Sequence, residues 1–269
     1  MPFGLTNACS TFSRFISEVT SGIDNIFVFL DDILIATATE EEHWETLRVL
    51  FSRLREFGLV INVNKCEFGV DRVDFLGHSV SPDGIRPLPA KVEVIANYPR
   101  PGNTKQLRSF LGLVCYYHRF VKGCATILKP LYDIANQSSN KRQRIVWSES
   151  ALLAFERIKS ELSDNAILSH PVHDADLSLV VDASQVGMGA VLQQKCDGEW
   201  TPLGFYSKTL NPTQQTYSAF DRELLGAYSA IKHFHVQLKG RKFQLVTDND
   251  GLVKALQNPT ERLVPRQSR

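Results

Sequence analysis

The chain has 269 residues, 43% of them hydrophobic and 22% charged, with a formal net charge of +1. That length suffices for two ordinary domains, the balance is that of soluble globular proteins, and the near-neutral charge means that any nucleic-acid surface has to be local. No apolar run reaches membrane-spanning length, the opening "MPFGLTNACSTFSRF" lacks the regions of a secretory signal, and five widely spaced cysteines without a CxxC pair point to neither a zinc site nor a disulfide framework, so a reducing, intracellular setting with no membrane partner is expected.

The first informative stretch is "IFVFLDDILIA", residues 26–36, where Asp31 and Asp32 interrupt an otherwise apolar run. Ionised carboxylates are rarely buried unless paired or bound to metal. The flanking Phe27, Val28, Phe29, Ile33, Leu34 and Ile35 suit strands. The pattern predicts strand, tight turn, strand, with the acidic pair at the tip. Asp is a good turn residue on its own account, but a hairpin built only for turning normally carries Gly, Asn or Pro as well. The other reading is a cation site held up by a rigid hairpin.

Next comes "TATEEEHWETLRVLFSRLREFG". Thr39 with Glu42 predicts a capping box, and Glu40 and Glu41 suit a helix N-terminus. Leu47, Leu50, Phe51, Leu54 and Phe57 recur at helical spacing, with Gly58 as C-cap. His43 and Trp44 are expected to pack. Short strands are predicted at 59–63 and 73–78, then a turn and an extended stretch in "SPDGIRPLP". Residues 104–135 return to a helical pattern. There Lys105, Arg108, His118, Arg119 and Lys122 interleave with Phe110, Tyr116, Tyr117 and Phe120. Bases among aromatics suit a nucleic-acid backbone; a solvated basic face over a packed aromatic face is the reading favoured from the pattern alone. The polar, basic "NQSSNKRQR" at 136–144 is the best linker candidate, and a helix should begin near Ser148.

From residue 177 the order reads β-β-β-α-β-α: "LSLVVDAS", "GMGAVLQQK" and "PLGFYSKTL" as antiparallel strands, a helix over about 213–238, then "FQLVTD" and "GLVKALQ". Asp182 ends the first of these strands and Asp248 follows the last. Two strand-end carboxylates separated by a helix can reach one sheet edge, although strand-end Asp also caps loops. The helix has an apolar stripe at Tyr217, Phe220, Leu224, Ala227, Tyr228 and Ile231, flanked by Asp221 on one side and Glu223 on the other; periodicity does not choose between them. Carboxylate clusters of this kind suit two-metal phosphoryl transfer with hard Mg²⁺.

The joint order of these motifs resembles the reverse transcriptase and ribonuclease H region of gypsy-class LTR retrotransposon Pol polyproteins, nearly end to end. The resemblance implies an α+β architecture: a partial polymerase palm at 1–79, a thumb/connection at 80–144, and a ribonuclease H-like mixed β-sheet domain at 145–269 lacking its C-terminal end. It implies Asp31 and Asp32 as polymerase carboxylates, Phe3, Gly4 and Lys65 as template and nucleotide contacts, and Phe75, Leu76, Gly77 and His78 as the primer grip. Asp182, Glu223 and Asp248 become metal-binding acids, which prefers Glu223 over Asp221. Mg²⁺, or Mn²⁺ in its place, is the implied cofactor. The implied partners are an RNA and DNA template-primer, an RNA–DNA hybrid, dNTPs and the remainder of the Pol polyprotein, inside a cytoplasmic particle or the nucleus. Two departures stand out: Phe29 occupies the usual tyrosine position before the acidic pair, and Asn249-Asp250-Gly251 stands where the family has His-Lys-Pro. The third polymerase Asp, the fingers and a fourth ribonuclease H acid are expected outside this stretch, so the chain reads as a fragment, inactive alone. The competing expectation is a truncated or domesticated remnant, at most a nucleic-acid binder.

Overall fold

The computed structural model describes residues 5–137, 143–164 and 167–257. Phe3, Gly4 and most of the linker candidate (138–142) lie outside the described residues. The chain forms two compact units, Met1–Leu76 and Gly77–Arg269.

In the first unit, helix α1 (Ala8–Val19) precedes the hairpin β1 (Ile26–Phe29) and β2 (Asp32–Ile35), helix α2 (Glu40–Glu56) and a short strand β3 (Val73–Phe75). Alternation along the hairpin sends Ile26, Val28, Ile33 and Ile35 onto a core formed by Ile16 and Val19 of α1 and Leu50 and Leu54 of α2. Helix α2 starts as its sequence predicts: the Thr39 side chain accepts from the Glu42 N–H. The reciprocal half of the box is displaced, because Glu42 Oε2 accepts from Ala38 N, one residue earlier, at 3.1 Å. The helix ends in a Schellman motif, with Gly58 at φ +70° and Leu59 N–H donating to the Leu54 carbonyl. Two expectations fail here. Trp44 is 55% exposed, since the buried stripe runs through Leu47, Leu50 and Leu54 and the Trp ring lies off that line. Residues 59–62 form no strand; Leu59 and Ile61 pack on the core, while Asn62 accepts from Asn64 N and turns the chain into the 3-10 turn Val63–Lys65.

The second unit begins with the antiparallel hairpin β4 (His78–Ser81) and β5 (Gly84–Pro87). Four helices follow: α3 (Pro89–Ala96), α4 (Thr104–Tyr116), α5 (Cys124–Asn136) and α6 (Glu149–Asp164). The turn and extended stretch expected in "SPDGIRPLP" are the hairpin reversal and β5; helix α3 opens at its last residue, Pro89, where the missing N–H costs nothing. Leu107, Phe110, Val114, Tyr117, Leu128, Leu131, Phe155, Ile158 and Leu162 share one core. That core runs past residue 145 into α6, so α6 packs with the helices that precede it. Ser148 caps α6, as its sequence predicts, accepting from Ala151 N at 3.2 Å.

The chain then builds a sheet from β6 (Leu177–Ala183), β7 (Gly187–Cys196), β8 (Glu199–Thr209) and β9 (Phe243–Val246), in the order β8-β7-β6-β9. The β6–β9 pair is parallel and the others antiparallel. On β8, Phe205 packs toward the four-helix core and its neighbour Tyr206 toward the sheet's own core, so alternate residues serve opposite faces. The long helix expected over 213–238 is three pieces: α7 (Pro212–Gln215), α8 (Ala219–His233) and α9 (His235–Leu238). Asn211 caps the start of α7 and Ser218 that of α8, so the helix begins anew at Ser218. Helix α10 (Asp250–Gln257) follows β9. Among the described residues no helix is long and apolar enough to cross a membrane.

Candidate active sites

The polymerase-like carboxylates sit where the hairpin reverses. Phe29 pairs with Asp32, which leaves Leu30 and Asp31 as the two central turn residues. The turn needs a positive φ, and Leu30 supplies it at +51°. A left-handed leucine costs about 1–2 kcal/mol, a strain of the kind that collects at functional sites. Asp31 and Asp32 are both exposed. Phe27 and Phe29 are also exposed, at 59% and 56%, on the face turned away from the core. The turn therefore presents two carboxylates beside bare aromatic surface, on a strand pair whose other face is anchored. Lys65 ends the 3-10 turn and is exposed.

Of the proposed primer-grip residues, Phe75 and Leu76 belong to the first unit and Gly77 and His78 to the second. Phe75 ends β3, and Leu76 and Gly77 follow with φ of +46° and +71°. Within the second unit the Gly77 carbonyl accepts from the Tyr117 hydroxyl at 2.8 Å and from Leu88 N at 3.0 Å. A Cβ at Gly77 would lie 3.2 Å from the Tyr116 ring and 3.3 Å from the Tyr117 hydroxyl. His78 is surrounded by the rings of Tyr116, Tyr117 and Phe120, with centroids 5.5, 5.7 and 5.6 Å away. The aromatic residues of "CYYHRF" therefore clamp the start of β4. The pattern favoured from sequence holds in part: Phe110, Tyr117 and Phe120 are buried and Lys105, Arg108 and Lys122 exposed, but Tyr116 is 51% exposed and the basic His118 and Arg119 are half-buried.

The second carboxylate set forms at one end of the β6–β9 pair. The parallel register ends at Val180 with Val246; Asp182 lies two residues further along β6 and Asp248 two residues past the end of β9. Helix α8 brings in Glu223, which is only 4% exposed. Gly226, Ala227 and Ala230 let α8 lie close to the sheet; a Cβ on Gly226 would stand 3.7 Å from those of Ala183 and Met188. Of the expected stripe, Phe220, Leu224 and Ala227 pack on the sheet's core, whereas Tyr228 and Ile231 are exposed. Asp221 instead helps to start the helix, where the Ser218 hydroxyl donates to its carboxylate at 2.8 Å and accepts from its N–H. Glu223 Oε1 accepts from Ala183 N at 2.8 Å, and Oε2 accepts from the Thr247 hydroxyl at 3.3 Å. Burial raises the Glu223 pKa above the ordinary carboxylate value; Asp248 and Asp182 push it the same way, while the two hydrogen bonds oppose them. Thr247 carried no signal in the sequence beyond standing beside Asp248.

The donor chemistry fits a hard divalent cation, since all three groups are carboxylates with Glu223 already desolvated between the other two. Among the described residues, however, no three acidic, His or Cys groups stand close enough together to hold a metal ion. Both Glu223 oxygens are taken up by the Ala183 N–H and the Thr247 hydroxyl.

A hairpin bearing an acidic pair, followed by a helical layer and a mixed sheet with strand-end acids, defines a polymerase palm joined to a ribonuclease H-like domain. Residues 1–80 match the reverse transcriptase (RNA-dependent DNA polymerase) family and residues 147–245 match the RNase H-like domain found in reverse transcriptase. The chain belongs to the reverse transcriptase–ribonuclease H region of LTR retrotransposon Pol polyproteins. It is 38% identical over 255 residues to the Pol polyprotein of transposon 297 of Drosophila melanogaster, covering 94% of this chain and 23% of that protein. It is 33% identical to the transposon opus polyprotein of the same organism (96% and 27% covered) and 32% identical to the transposon Tf2-3 polyprotein of Schizosaccharomyces pombe (97% and 20%). The chain thus spans about a quarter of the length of these curated relatives. Foamy viral protease-reverse transcriptase, solved in complex with RNA/DNA hybrid, shares the fold at a TM-score of 0.83 and 23% identity, over the whole of this chain and 36% of that one. A second structure of that protein, in complex with double-stranded DNA, gives 0.84 over 99% of this chain and 47% of its own.

Proposed function

We propose that this chain contributes to two phosphoryl-transfer sites of an RNA-directed DNA polymerase with ribonuclease H: Asp31 and Asp32 to the polymerase, and Asp182, Glu223 and Asp248 to the ribonuclease H. The observation that carries the reading is the convergence of β6, β9 and α8, which sets a buried glutamate between the residues that follow one strand-end aspartate and precede the other. Mg²⁺ is the cation these oxygen donors suit, with Mn²⁺ as a substitute. When bound, such ions activate the attacking oxygen and stabilise the leaving one. The protein's own part is positional: the hairpin holds Asp31 and Asp32 outward on a rigid turn, the aromatic clamp on Gly77 and His78 steadies the proposed primer grip, and Glu223 is held by two donors. The substrates proposed are a template-primer with dNTPs for the first site and an RNA–DNA hybrid for the second.

The test is cleavage of a labelled RNA–DNA hybrid, and primer extension, in Mg²⁺ or Mn²⁺ by a longer Pol polyprotein segment that carries this chain with the acids expected outside it, since the chain alone is expected to be inactive. Metal-dependent cutting that disappears in Asp182→Asn is the expected result, as is primer extension that disappears in Asp31→Asn. One observation favours a second reading, that of a nucleic-acid binder without catalysis: among the described residues neither acidic set closes into a three-ligand cluster. Hybrid binding that is the same with and without Asp182, and no cleavage under either metal, would establish that reading and defeat the first.

A further inference from the structure

Arg119 carries a charge that has no counter-charge in the fold. It lies in the 3-10 turn His118–Phe120, which joins α4 to α5 and packs against β8. Its guanidinium is half-buried and stands over the Phe120 ring at 5.8 Å. Among the described residues it makes no ion pair and no hydrogen bond. Its N–H donors are therefore without a protein acceptor, whereas a charged side chain withdrawn from water is ordinarily paired. Two imidazoles share the place. A carbonyl only accepts, so His118 donates from Nδ1 to the Cys115 carbonyl at 2.6 Å, which leaves its Nε2 for another partner. His233, in the last turn of α8, is exposed, with its ring centroid 4.8 Å from that of Tyr206 on β8. Burial lowers the His233 pKa, and His118 and Arg119 lower it further. Burial also lowers the Arg119 pKa, with no carboxylate to hold it up. The carbonyl end of α8 favours cations but gives Arg119 no hydrogen bond. The neighbourhood is rigid: Ala125 N–H, in the first turn of α5, donates to Ser207 Oγ of β8 at 2.8 Å, and a Cβ on Gly187 of β7 would lie 3.0 Å from Thr126 Oγ1.

We propose that Arg119, with His118 and His233 beside it, is a binding site for one phosphate group of a nucleic-acid backbone. A guanidinium suits that ligand, because its parallel N–H donors match two phosphate oxygens at once. The exposed imidazole of His233 and the free Nε2 of His118 add donors when protonated. Lys122 follows on the same segment and Lys232 precedes His233 on α8, both exposed. The positive surface thus extends beyond one side chain, as a polyanion needs and a single carboxylate does not. Phosphate contacts position a nucleic acid and carry no sequence information. A phosphate held here fixes a duplex against the helical layer and the sheet together, without reading its bases. The inference rests on the nucleic-acid substrates proposed above and on neither set of acids.

The experiment is binding of a labelled RNA–DNA hybrid to the full purified chain, read by fluorescence anisotropy in EDTA over a series of KCl concentrations. Each phosphate neutralised contributes about 0.9 to the slope of log K against log salt. Arg119→Gln should therefore bind more weakly, with a slope shallower by about that amount. Arg119→Lys keeps the charge and should keep the slope. Lys91→Gln removes an exposed charge from α3 and should keep it as well; an equal fall there would mark an effect of net charge and overturn the site. Melting separates binding from support of the fold. Because the charge is unpaired, Arg119→Gln should melt no lower than wild type, and His233→Asp, which offers the guanidinium a partner, should melt higher while losing hybrid affinity. If Arg119→Gln does not fold, judged by circular dichroism, Arg119→Met keeps the aliphatic stem over Phe120 and is held to the same standard. Inorganic phosphate that shifts the His118 and His233 magnetic resonance signals, with the hybrid slope unchanged in Arg119→Gln, assigns the site to free phosphate and overturns the proposal. Hybrid binding of equal affinity and slope in wild type and Arg119→Gln overturns this inference alone. A wild-type chain that binds no hybrid at the lowest salt overturns the nucleic-acid substrates proposed above and this inference with them.

Discussion

Gly84→Ala tests how firmly the β4–β5 hairpin, whose first residue is His78, is tied to the rest of its unit. Gly84 opens β5 at φ +133°, a conformation essentially confined to glycine. A Cβ placed there would lie 2.4 Å from the Leu168 carbonyl oxygen and 3.3 Å from the Ile167 side chain. That carbonyl is no bystander: it accepts from Ile85 N at 2.8 Å, while Leu168 N returns a bond to the Ile85 carbonyl at 3.0 Å. Relieving the clash means moving the strand away and weakening both bonds. Lost hydrogen bonds contribute about 1 kcal/mol each, and the backbone conformation adds about 1–3 kcal/mol. The expected destabilisation is therefore on the order of 4 kcal/mol, which for a unit of this size lowers the melting temperature by about 8–16 °C. Thermal unfolding by circular dichroism measures this, and amide exchange at Ile85 and Leu168 locates it. A matched control is Gly112→Ala in α4, where a Cβ meets nothing within 4 Å; it should stabilise by about 0.5–1 kcal/mol. A drop of less than about 2 °C for Gly84→Ala, with both amides still protected, would refute the reasoning.

Glu223→Gln removes a buried charge; its one carbonyl oxygen keeps the bond from Ala183 N–H, and its NH2 faces Thr247 Oγ1 as a donor where the carboxylate accepted. Because folding raises the Glu223 pKa, the protonated group's stabilising contribution is complete below the ordinary carboxylate pKa and is lost as pH rises through the raised folded value. In metal-free protein the melting temperature of the Gln variant should therefore gain on wild type across that window; parallel curves would show that Glu223 is not desolvated. Phe155→Ala should cost about 3–5 kcal/mol, since the ring is 1% exposed and lies 4.7 Å from Phe110 and 5.5 Å from Trp147; a small loss would mean that α6 does not share the core of α4. Burial pushes the Cys124 thiol up to about 12, so a thiol reagent should label exposed Cys9 quickly and Cys124 only on unfolding, as peptide mapping of the labelled protein would report.

Much of this protein is decided by short-range sequence. The hairpin follows from alternating β-branched and aromatic residues around a pair of charges, and the caps at Thr39, Gly58 and Ser148 follow from side-chain chemistry within a few residues. The three antiparallel strands after residue 177 and the strand-end positions of Asp182 and Asp248 are equally local, because strand length and turn placement leave little freedom there. The resemblance adds the roles of these acids, which spacing alone leaves open.

What the sequence does not decide depends on partners distant along the chain. Trp44 is expected inside and lies outside, because which stripe of α2 is buried depends on where α1 and the hairpin lie. Of the stripe expected on α8, Phe220, Leu224 and Ala227 meet the sheet's core and Tyr228 and Ile231 do not; the contact extends instead over Gly226 and Ala230, because close approach of a helix to a sheet selects small side chains, which a hydrophobic count undervalues. The packing leaves Glu223 buried against the sheet and Asp221 in the first turn beside the Ser218 cap, a choice periodicity does not make. Gly84 reads as an ordinary turn glycine until Leu168, far along the chain, is seen to fill the space its side chain would need. Thr247 reads as one more β-branched residue near the end of a strand, and only the packing of α8 against β6 and β9 aims its hydroxyl at a carboxylate. Local propensity sets where elements begin and end; which faces meet, and so which polar groups are brought together, is settled by packing across the whole fold.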